Sequence, residues 1–145
     1  MKSCNDESVG RLLYLTAQTM TLHAEKVLKP YDLTVEQLQL LKNVDQETAL
    51  SQQQLCEVVQ KSAANVTRIL DRLERKGCVR REINPADRRS THLFLTVQGK
   101  ELIAEVTVVL ESFSEQLLRG ISRQEQELLS QLLYKMQDNL TRLPQ

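Results

Sequence analysis

Glycine, proline and aromatic residues are scarce in this chain. Its 145 residues include four glycines, three prolines and no tryptophan, and only 3% are aromatic. Because turns depend on glycine and proline, a composition this poor in both argues against an all-β fold. It favours long helices around an aliphatic, mostly leucine core, in a single domain of ordinary size.

Several functional signals are also missing. The first residues contain no apolar segment typical of a signal peptide, and no run of apolar residues is long enough to span a membrane. Three cysteines without a CxxC pair, Cys4, Cys56 and Cys78, fit a reduced cytoplasmic protein. Neither His23 nor His92 has the neighbours that a metal site needs, and no catalytic constellation stands out. We therefore predict a cytoplasmic protein that is not an enzyme and has no cofactor, metal or membrane contact.

The net charge of zero conceals an uneven distribution. Residues 61–92 contain nine basic and four acidic residues, a local charge of +5, and the rest of the chain carries −5. A basic block inside an otherwise acidic protein indicates a polyanionic partner. A solvated charged surface without any partner is the alternative that charge alone leaves open.

Helix-start signals recur along the chain. A serine or threonine followed three residues later by glutamine or glutamate is a capping box, which marks a helix start. Three such pairs are present, namely Thr34 with Gln37, Ser51 with Gln54, and Ser122 with Glu125. Apolar spacing adds helices over residues 7–29 and 96–118, and Pro30 ends the first. Ser62 should cap one more helix, which reaches Lys76. The helix that starts at Thr34 should run to Asp45, and the last helix to Leu143.

Residues 78–96 have a different pattern. The segments "CVRREI" and "THLFLT" are β-branched and alternating, and "NPADRRS" lies between them. This pattern predicts a two-stranded hairpin with a long loop over residues 84–90. Because a lone hairpin is unstable in water, it should pack against the neighbouring helices. The predicted fold is therefore mainly α with a small β-hairpin.

A short helix, a turn, a second helix and a hairpin make the layout of a winged helix-turn-helix. The second helix has one apolar face, and its opposite face is polar. Arginine can bind guanine and asparagine can bind adenine through paired hydrogen bonds, and small alanines allow a close approach to the groove. The predicted DNA contacts on this helix are Ser62, Ala64, Asn65, Thr67, Arg68 and Arg72. The alternative is an ordinary amphipathic helix with pairs such as Asp71 with Arg75.

Three motifs together resemble the MarR family of bacterial transcriptional regulators. They are Asp71-Arg72-Leu73-Glu74 with Gly77, Asp87-Arg88-Arg89, and Leu95-Thr96 with Gly99. The helix order on both sides is also similar, so the resemblance covers nearly the whole chain. It implies one domain over residues 1–145, with a DNA-binding winged-helix part at about 34–96 and dimerisation helices at about 7–29 and 97–143.

The resemblance implies a homodimer that binds a pseudo-palindromic operator in double-stranded DNA, most often as a repressor released by an effector. A two-fold dimer would present two recognition helices roughly 34 Å apart, one turn of DNA. Leucine and valine on more than one helical face of residues 96–143 agree with a dimer interface, and a bundle within one chain is the alternative.

In this family the wing places an arginine in the minor groove, where a narrow A·T-rich groove attracts guanidinium groups. By position, Arg88 or Arg89 would do so here, and the family pattern favours Arg89. Asp87 would orient the neighbouring arginine through a carboxylate pair.

Relatives often bind small phenolic or lipophilic effectors where the dimerisation helices meet the DNA-binding part. Tyr14, His23 and Tyr31 are the candidates for lining such a pocket here, and core packing is the alternative for each. Some relatives sense oxidants with a cysteine placed like Cys4, but the adjacent Asp6 and Glu7 disfavour the thiolate that this chemistry needs.

Two other functions are compatible with the fold. A winged-helix module that binds protein should expose apolar anchors over residues 63–72, where the sequence has asparagine, threonine and arginine. A nonspecific architectural DNA binder should show little preference for any sequence over random DNA.

Overall fold

The computed structural model describes residues 8–44 and 50–144. Cys4 and the predicted helix ends at residues 7 and 45 lie outside the described residues. The helices are α1 (Val9–Leu28), α2 (Val35–Asn43), α3 (Gln52–Val59), α4 (Ala63–Arg75), α5 (Val97–Leu117) and α6 (Arg123–Thr141). The strands are β1 (Leu50–Ser51), β2 (Val79–Asn84) and β3 (Asp87–Leu95). This order confirms the mainly α fold with a small sheet. Residues up to Leu110 form one compact unit and residues from Glu111 form a second.

The capping signals mark the helix starts as predicted. At all three predicted boxes the hydroxyl accepts the third backbone N–H of the helix and the glutamine or glutamate accepts the N–H of the cap. Ser62 also caps α4, accepting from the N–H of Asn65 at 3.3 Å. Helix α4 ends at Arg75, and Gly77 follows with φ of +76°, the left-handed conformation that glycine adopts most easily.

The sheet differs from the predicted hairpin in two ways. The long loop is wrong, because β3 begins at Asp87 and only Pro85 and Ala86 connect the two strands. The Asn84 side chain accepts the N–H of Ala86 at 3.0 Å, which closes a tight turn that the polar composition concealed. A third strand was also missed, since the two-residue β1 pairs with β3 and gives the order β1-β3-β2.

The hydrophobic core lies in the first unit and joins the helix-turn-helix to the sheet. Four residues of α4 form its buried face, namely Val66, Ile69, Leu70 and Leu73. They belong to one cluster with buried leucines of α2 and α3 and with Leu93 in the central strand. Because this face is fixed in the core, the opposite face of α4 is directed to solvent.

Gly99 allows α5 to start close to the end of α4. The Thr96 hydroxyl donates to the carbonyl of Gly77 and accepts the N–H of Gly99 at 3.0 Å, and the Thr96 N–H donates to Cys78 at 3.1 Å. A β-carbon on Gly99 would lie 2.2 Å from the carbonyl oxygen of Cys78. The Leu-Thr-x-x-Gly motif is therefore a junction at which two backbones touch.

Gly99→Ala is expected to lower the free energy of unfolding by about 1–3 kcal/mol, the usual cost of overpacking. The clash is with main chain, so no side chain can rotate to relieve it. Gly10→Ala is the matched control, since a β-carbon there has open space around it and alanine favours the helix. Urea unfolding at one protein concentration measures both, and equal stability of the two variants would contradict the close approach.

The second unit has little core of its own. Helix α6 contains no buried residue, and several of its large apolar side chains are exposed, namely Leu128, Leu129, Leu132, Tyr134 and Leu140. In the first unit, α1 also exposes apolar side chains along its length, including Val9, Leu13, Tyr14 and Leu22. Among the described residues, no helix is long and apolar enough to cross a membrane.

Candidate nucleic-acid interface

The polar face of helix α4 points away from the core. We call α4 the recognition helix. Ser62 and Ala64 are exposed at its start, Asn65 and Thr67 are half-buried, and Arg68 is exposed. Arg72, one turn further on, is exposed as well. The structure therefore brings the six predicted contact residues of this segment together on or beside one surface.

Asn65 and Arg68 are joined by a hydrogen bond. Arg68 Nη2 donates to Asn65 Oδ1 at 2.8 Å. The bond holds the guanidinium over the first turns of α4, and its other N–H groups stay available for guanine O6 and N7. The bond uses one of the two lone pairs of the asparagine oxygen, so the other lone pair and the side-chain N–H groups of Asn65 are still available for adenine.

Thr67 has a partner that the sequence did not suggest. Its Oγ1 accepts a hydrogen bond from Gln52 Nε2 at 2.7 Å, which links the first helical turn of α3 to the recognition helix. The hydroxyl hydrogen of Thr67 can still be donated to an acceptor such as phosphate.

The nine basic side chains of residues 61–92 divide into two groups. Four make ion pairs, namely Lys61 with Glu36, Lys76 with Asp32, Arg80 with Glu82, and Arg81 with Asp71 and Glu74. The other five make no ion pair among the residues that the structure describes, namely Arg68, Arg72, Arg75, Arg88 and Arg89. Three of these five lie on the recognition helix and two on the wing, the β2–β3 hairpin.

The two wing arginines lie in an irregular part of strand β3. Ile83 pairs with Thr91 and Asn84 pairs with Asp87, so residues 88–90 have no partner in β2. Such a bulge interrupts the ladder and re-aims side chains. Arg88 and Arg89 are both exposed there.

Asp87 acts on the main chain. Instead of the predicted pair with a guanidinium, its Oδ1 accepts the backbone N–H of Arg89 at 3.0 Å. Within the described ranges Asp87 makes no ion pair with Arg88 or Arg89. The carboxylate therefore shapes the backbone at the bulge and does not engage either guanidinium group.

Ion pairs surrounding the recognition helix were not predicted from the sequence. Arg81 in β2 binds Asp71 and Glu74, so the carboxylate of Asp71 pairs with the wing and not with Arg75. Burial lowers the pKa of Arg81, but the hydrogen bonds that its guanidinium donates to the two carboxylates outweigh this effect and raise the pKa overall. The i, i+3 spacing of Asp71 and Glu74 was the available signal, because two acids on one side of a helix favour a nearby cation.

Both ends of α4 are also tied to the α2 region by lysines. Lys61 donates to Glu36 at 2.8 Å, and this hydrogen bond lowers the pKa of Glu36 against the opposing effect of desolvation. Lys76 makes an ion pair with Asp32 and also donates a hydrogen bond to Gln37 at 3.2 Å. Gln37 is buried and is the residue that completes the Thr34 capping box.

The predicted pocket residues differ in how exposed they are to solvent. Tyr14 is 66% exposed and His23 is exposed, whereas Tyr31 is half-buried and lines a cavity of about 370 Å³ together with Lys76 and Cys78. A larger cavity of about 760 Å³ lies between the C-terminal ends of α1 and α4 and the start of α2. Its charged lining is mainly basic and comprises Lys26, Lys29, Arg72, Arg75, Lys76, Glu25 and Asp32.

The two cysteines within the described residues pack in the core or against it. Cys78 is buried and Cys56 is half-buried against the core, and both are free thiols. Burial raises the pKa of the Cys78 thiol, which disfavours the reactive thiolate. No group of metal-binding side chains is present within residues 8–44 and 50–144.

Comparison with known proteins identifies relatives for this arrangement. A family model described as the MarR family matches residues 33–91, from the start of α2 to the middle of β3. The transcriptional regulator HosA of Escherichia coli O111:H- is 34% identical over 105 residues, which are 72% of this chain and 78% of HosA.

Two solved structures in complex with DNA are also similar. S. aureus MepR in a DNA complex has 25% identity and a TM-score of 0.85, covering 92% of this chain and 99% of that one. A cysteine-to-serine mutant of MarR from E. coli complexed with operator DNA has 27% identity and a TM-score of 0.81, covering 88% and 92% of the two chains. The relatives are regulators, which agrees with the prediction that the chain is not an enzyme. The chain belongs to the MarR family of transcriptional regulators.

Proposed function

We propose that this regulator binds double-stranded DNA sequence-specifically as a homodimer. The observation that carries the proposal is the group of five arginines without an ion pair among the described residues, three on the recognition helix and two on the wing. The other four cations of the basic block form ion pairs with acidic side chains of the same chain. Cations left unpaired on a recognition helix and a wing are suited to phosphates and groove edges.

The recognition helix supplies base contacts, and the wing supplies a second contact beside it. Arg68, held by Asn65, would read a guanine in the major groove. Arg89, on the backbone shaped by Asp87, would enter the adjacent minor groove, where an A·T-rich sequence offers the strongest negative potential. The DNA complexes of MepR and MarR support this assignment.

Exposed apolar side chains support the homodimer. Helix α1 and, independently, the second unit expose leucine, valine and tyrosine that a monomer would leave in water. Many exposed apolar side chains on one helix favour a protein interface, and a stable interface buries about 1,200–2,000 Å² or more. Sedimentation equilibrium should give twice the chain mass of 16.7 kDa. A mass of one chain at micromolar concentration would contradict the dimer.

The recognition helix does not favour the protein-binding alternative. No large apolar side chain of α4 is exposed, whereas protein-binding hot spots are usually exposed aromatic or aliphatic anchors. Ile83, which is 68% exposed on the wing, is an isolated exception. The architectural alternative is tested by the ratio of affinities for a selected site and for random DNA, which is about 10³ or more for a specific regulator.

The regulator would act as a repressor whose DNA affinity an effector lowers. The 760 Å³ cavity supports this part of the proposal, because Arg72 and Arg75 of the recognition helix line it. Its excess of basic side chains favours an aromatic acid over a neutral phenol or lipid. Calorimetric titration with benzoate and phenol compares the two classes, and operator binding measured with each shows whether occupancy releases DNA.

A further inference from the structure

Arg81 connects the wing to the recognition helix. Its Nε donates to Glu74 Oε2 at 3.2 Å, and its Nη2 donates to Asp71 Oδ1 and, at 3.5 Å, to Glu74 Oε1. The Arg81 side chain is only 21% exposed, so the bonds are partly shielded from water. One cation of strand β2 thus holds two anions of helix α4.

This contact restrains the helix relative to the strand. Asp71 and Glu74 lie three residues apart and therefore on the same side of α4. A guanidinium is planar and its N–H groups point in fixed directions, so two carboxylates bound at once define its orientation. Rotation of α4 about its axis, or sliding along β2, would break at least one of the two pairs.

The wing has no buried contact beyond this point. From residue 82 to residue 91 every side chain is exposed or half-buried. The strand partner of Arg81 is Leu93, which is fully buried. Arg81 therefore lies at the level where core packing ends, and the tip with Arg88 and Arg89 projects beyond it.

We propose that Arg81 is a positioning residue that sets the angle between the recognition helix and the wing. This role rests on the proposed DNA-binding function. The fixed angle lets Arg68 and Arg89 reach neighbouring grooves at the same time. The single positive charge of Arg81 also offsets part of the negative charge of Asp71 and Glu74, which would otherwise repel phosphate more strongly. Its own guanidinium is occupied and does not contact DNA.

A double-mutant cycle between Arg81 and Arg89 tests the positioning role. The DNA is a site selected from random sequence by the wild-type protein, with an A·T-rich flank. In the wild-type background Arg89→Ala should weaken binding about tenfold. In the Arg81→Met background the wing is misplaced, so Arg89→Ala should cost less than about threefold, because contacts that depend on each other are not additive.

Arg80→Met is the matched control for the loss of one positive charge. Arg80 precedes Arg81 in the same strand, pairs with Glu82 at 3.0 Å and lies over the Phe94 ring, away from the two acids of α4. In the Arg80→Met background the Arg89→Ala effect should stay near tenfold. An equal Arg89→Ala effect in the Arg81→Met and Arg80→Met backgrounds would overturn the proposal.

Replacement of the two acidic partners of Arg81 is a second test. Two explanations predict opposite changes in DNA affinity for it. Replacing Asp71 by asparagine and Glu74 by glutamine together removes negative charge from the recognition helix, so electrostatics alone predicts tighter binding. Loss of the restraint predicts weaker binding instead, by about threefold or more. Glu82→Gln, which removes a wing acid outside the contact, should bind as well as the wild type or better. Tighter binding of the Asp71/Glu74 variant would overturn the proposal.

Thermal unfolding of each variant separates positioning from folding. If Arg81→Met does not fold, the Asp71/Glu74 variant, which keeps Arg81, decides the outcome. Failure of the proposed function is recognised independently, because the wild-type protein would then select no DNA sequence. If the wild-type protein binds DNA specifically but the effects of Arg81→Met and Arg89→Ala simply add, only the positioning role of Arg81 is rejected.

Discussion

Leu70→Ala is expected to lower the free energy of unfolding by about 2–5 kcal/mol, the range for large-to-small changes in a packed core. Leu70 is fully buried on α4, within the cluster that contains leucines of α2, α3 and β3. The cavity left behind cannot collapse easily, because the surrounding elements are also held by the ion pairs of Lys61, Lys76 and Arg81. Such a loss is a large part of the roughly 5–15 kcal/mol that stabilises a typical domain.

Val58→Ala is the control for this prediction. Val58 belongs to the same helix-turn-helix but is 57% exposed, so its truncation should change stability by less than about 0.5 kcal/mol. Denaturant unfolding at a fixed protein concentration measures both variants, since dimerisation makes stability depend on concentration. If Leu70→Ala were as stable as Val58→Ala, the recognition helix would not be fixed by the core as described.

Arg68→Ala should weaken operator binding by about 1–3 kcal/mol and relax the preference at one base pair of each half-site. The reason is the position of Arg68 in the first half of α4, where its guanidinium is oriented by Asn65 and has no ion pair among the described residues. Its replacement would remove the two proposed hydrogen bonds to a base edge, whereas the buried face of α4 would be unchanged. Stability should therefore stay within about 0.5 kcal/mol of the wild type.

Arg75→Ala is the matched control for a loss of charge on the same helix. Arg75 lies in the last turn, and its Nε donates to the carbonyl of Asp71 at 3.3 Å. Its replacement should weaken binding uniformly across sequences and reduce the salt dependence by about one phosphate contact. Affinities for the operator and for a set of single base-pair substitutions distinguish the two variants. A uniform loss for Arg68→Ala as well would show that Arg68 contacts only the backbone.

The parts of the fold that depend on local chemistry were predictable from the sequence. A hydroxyl and a glutamine or glutamate three residues apart form their cap within one helical turn, so Thr34, Ser51 and Ser122 marked helix starts correctly. The apolar spacing of α4 identified its buried face, which in turn directs Arg68 to solvent and leaves Asn65 half-buried beside it.

Features that depend on distant partners were not predictable. Strand β1 has two residues and exists only because it pairs with β3, so it has no periodicity of its own. The polar residues of "NPADRRS" suggested a loop, but pairing of Asn84 with Asp87 and a bulge at residues 88–90 carry the strand through most of it. Arg81 was recognised as one of nine basic residues, but only the fold brings it to Asp71 and Glu74.

The same limit applies to the site. Composition identified the basic block of residues 61–92. It could not separate the four cations used in ion pairs from the five arginines that have no ion pair within the described part of the chain. Likewise, the predicted pair of Asp87 with a guanidinium was wrong, because the carboxylate accepts the backbone N–H of Arg89, a contact that depends on the turn geometry. Which side chains become partners depends on their distance in the folded protein, and this distance cannot be read from the residues next to each of them in the sequence.

The central claim is sequence-specific DNA binding, and one titration tests it most directly. The purified wild-type protein is titrated against the DNA upstream of its own gene and against a scrambled fragment of equal length, between 50 and 200 mM salt. We expect binding to the upstream fragment that is about 10³-fold tighter or more than to the scrambled one. The affinity should fall linearly on a log–log plot against salt, as released counterions require. Equal affinity for the two fragments, or no salt-dependent binding to either, would contradict the account.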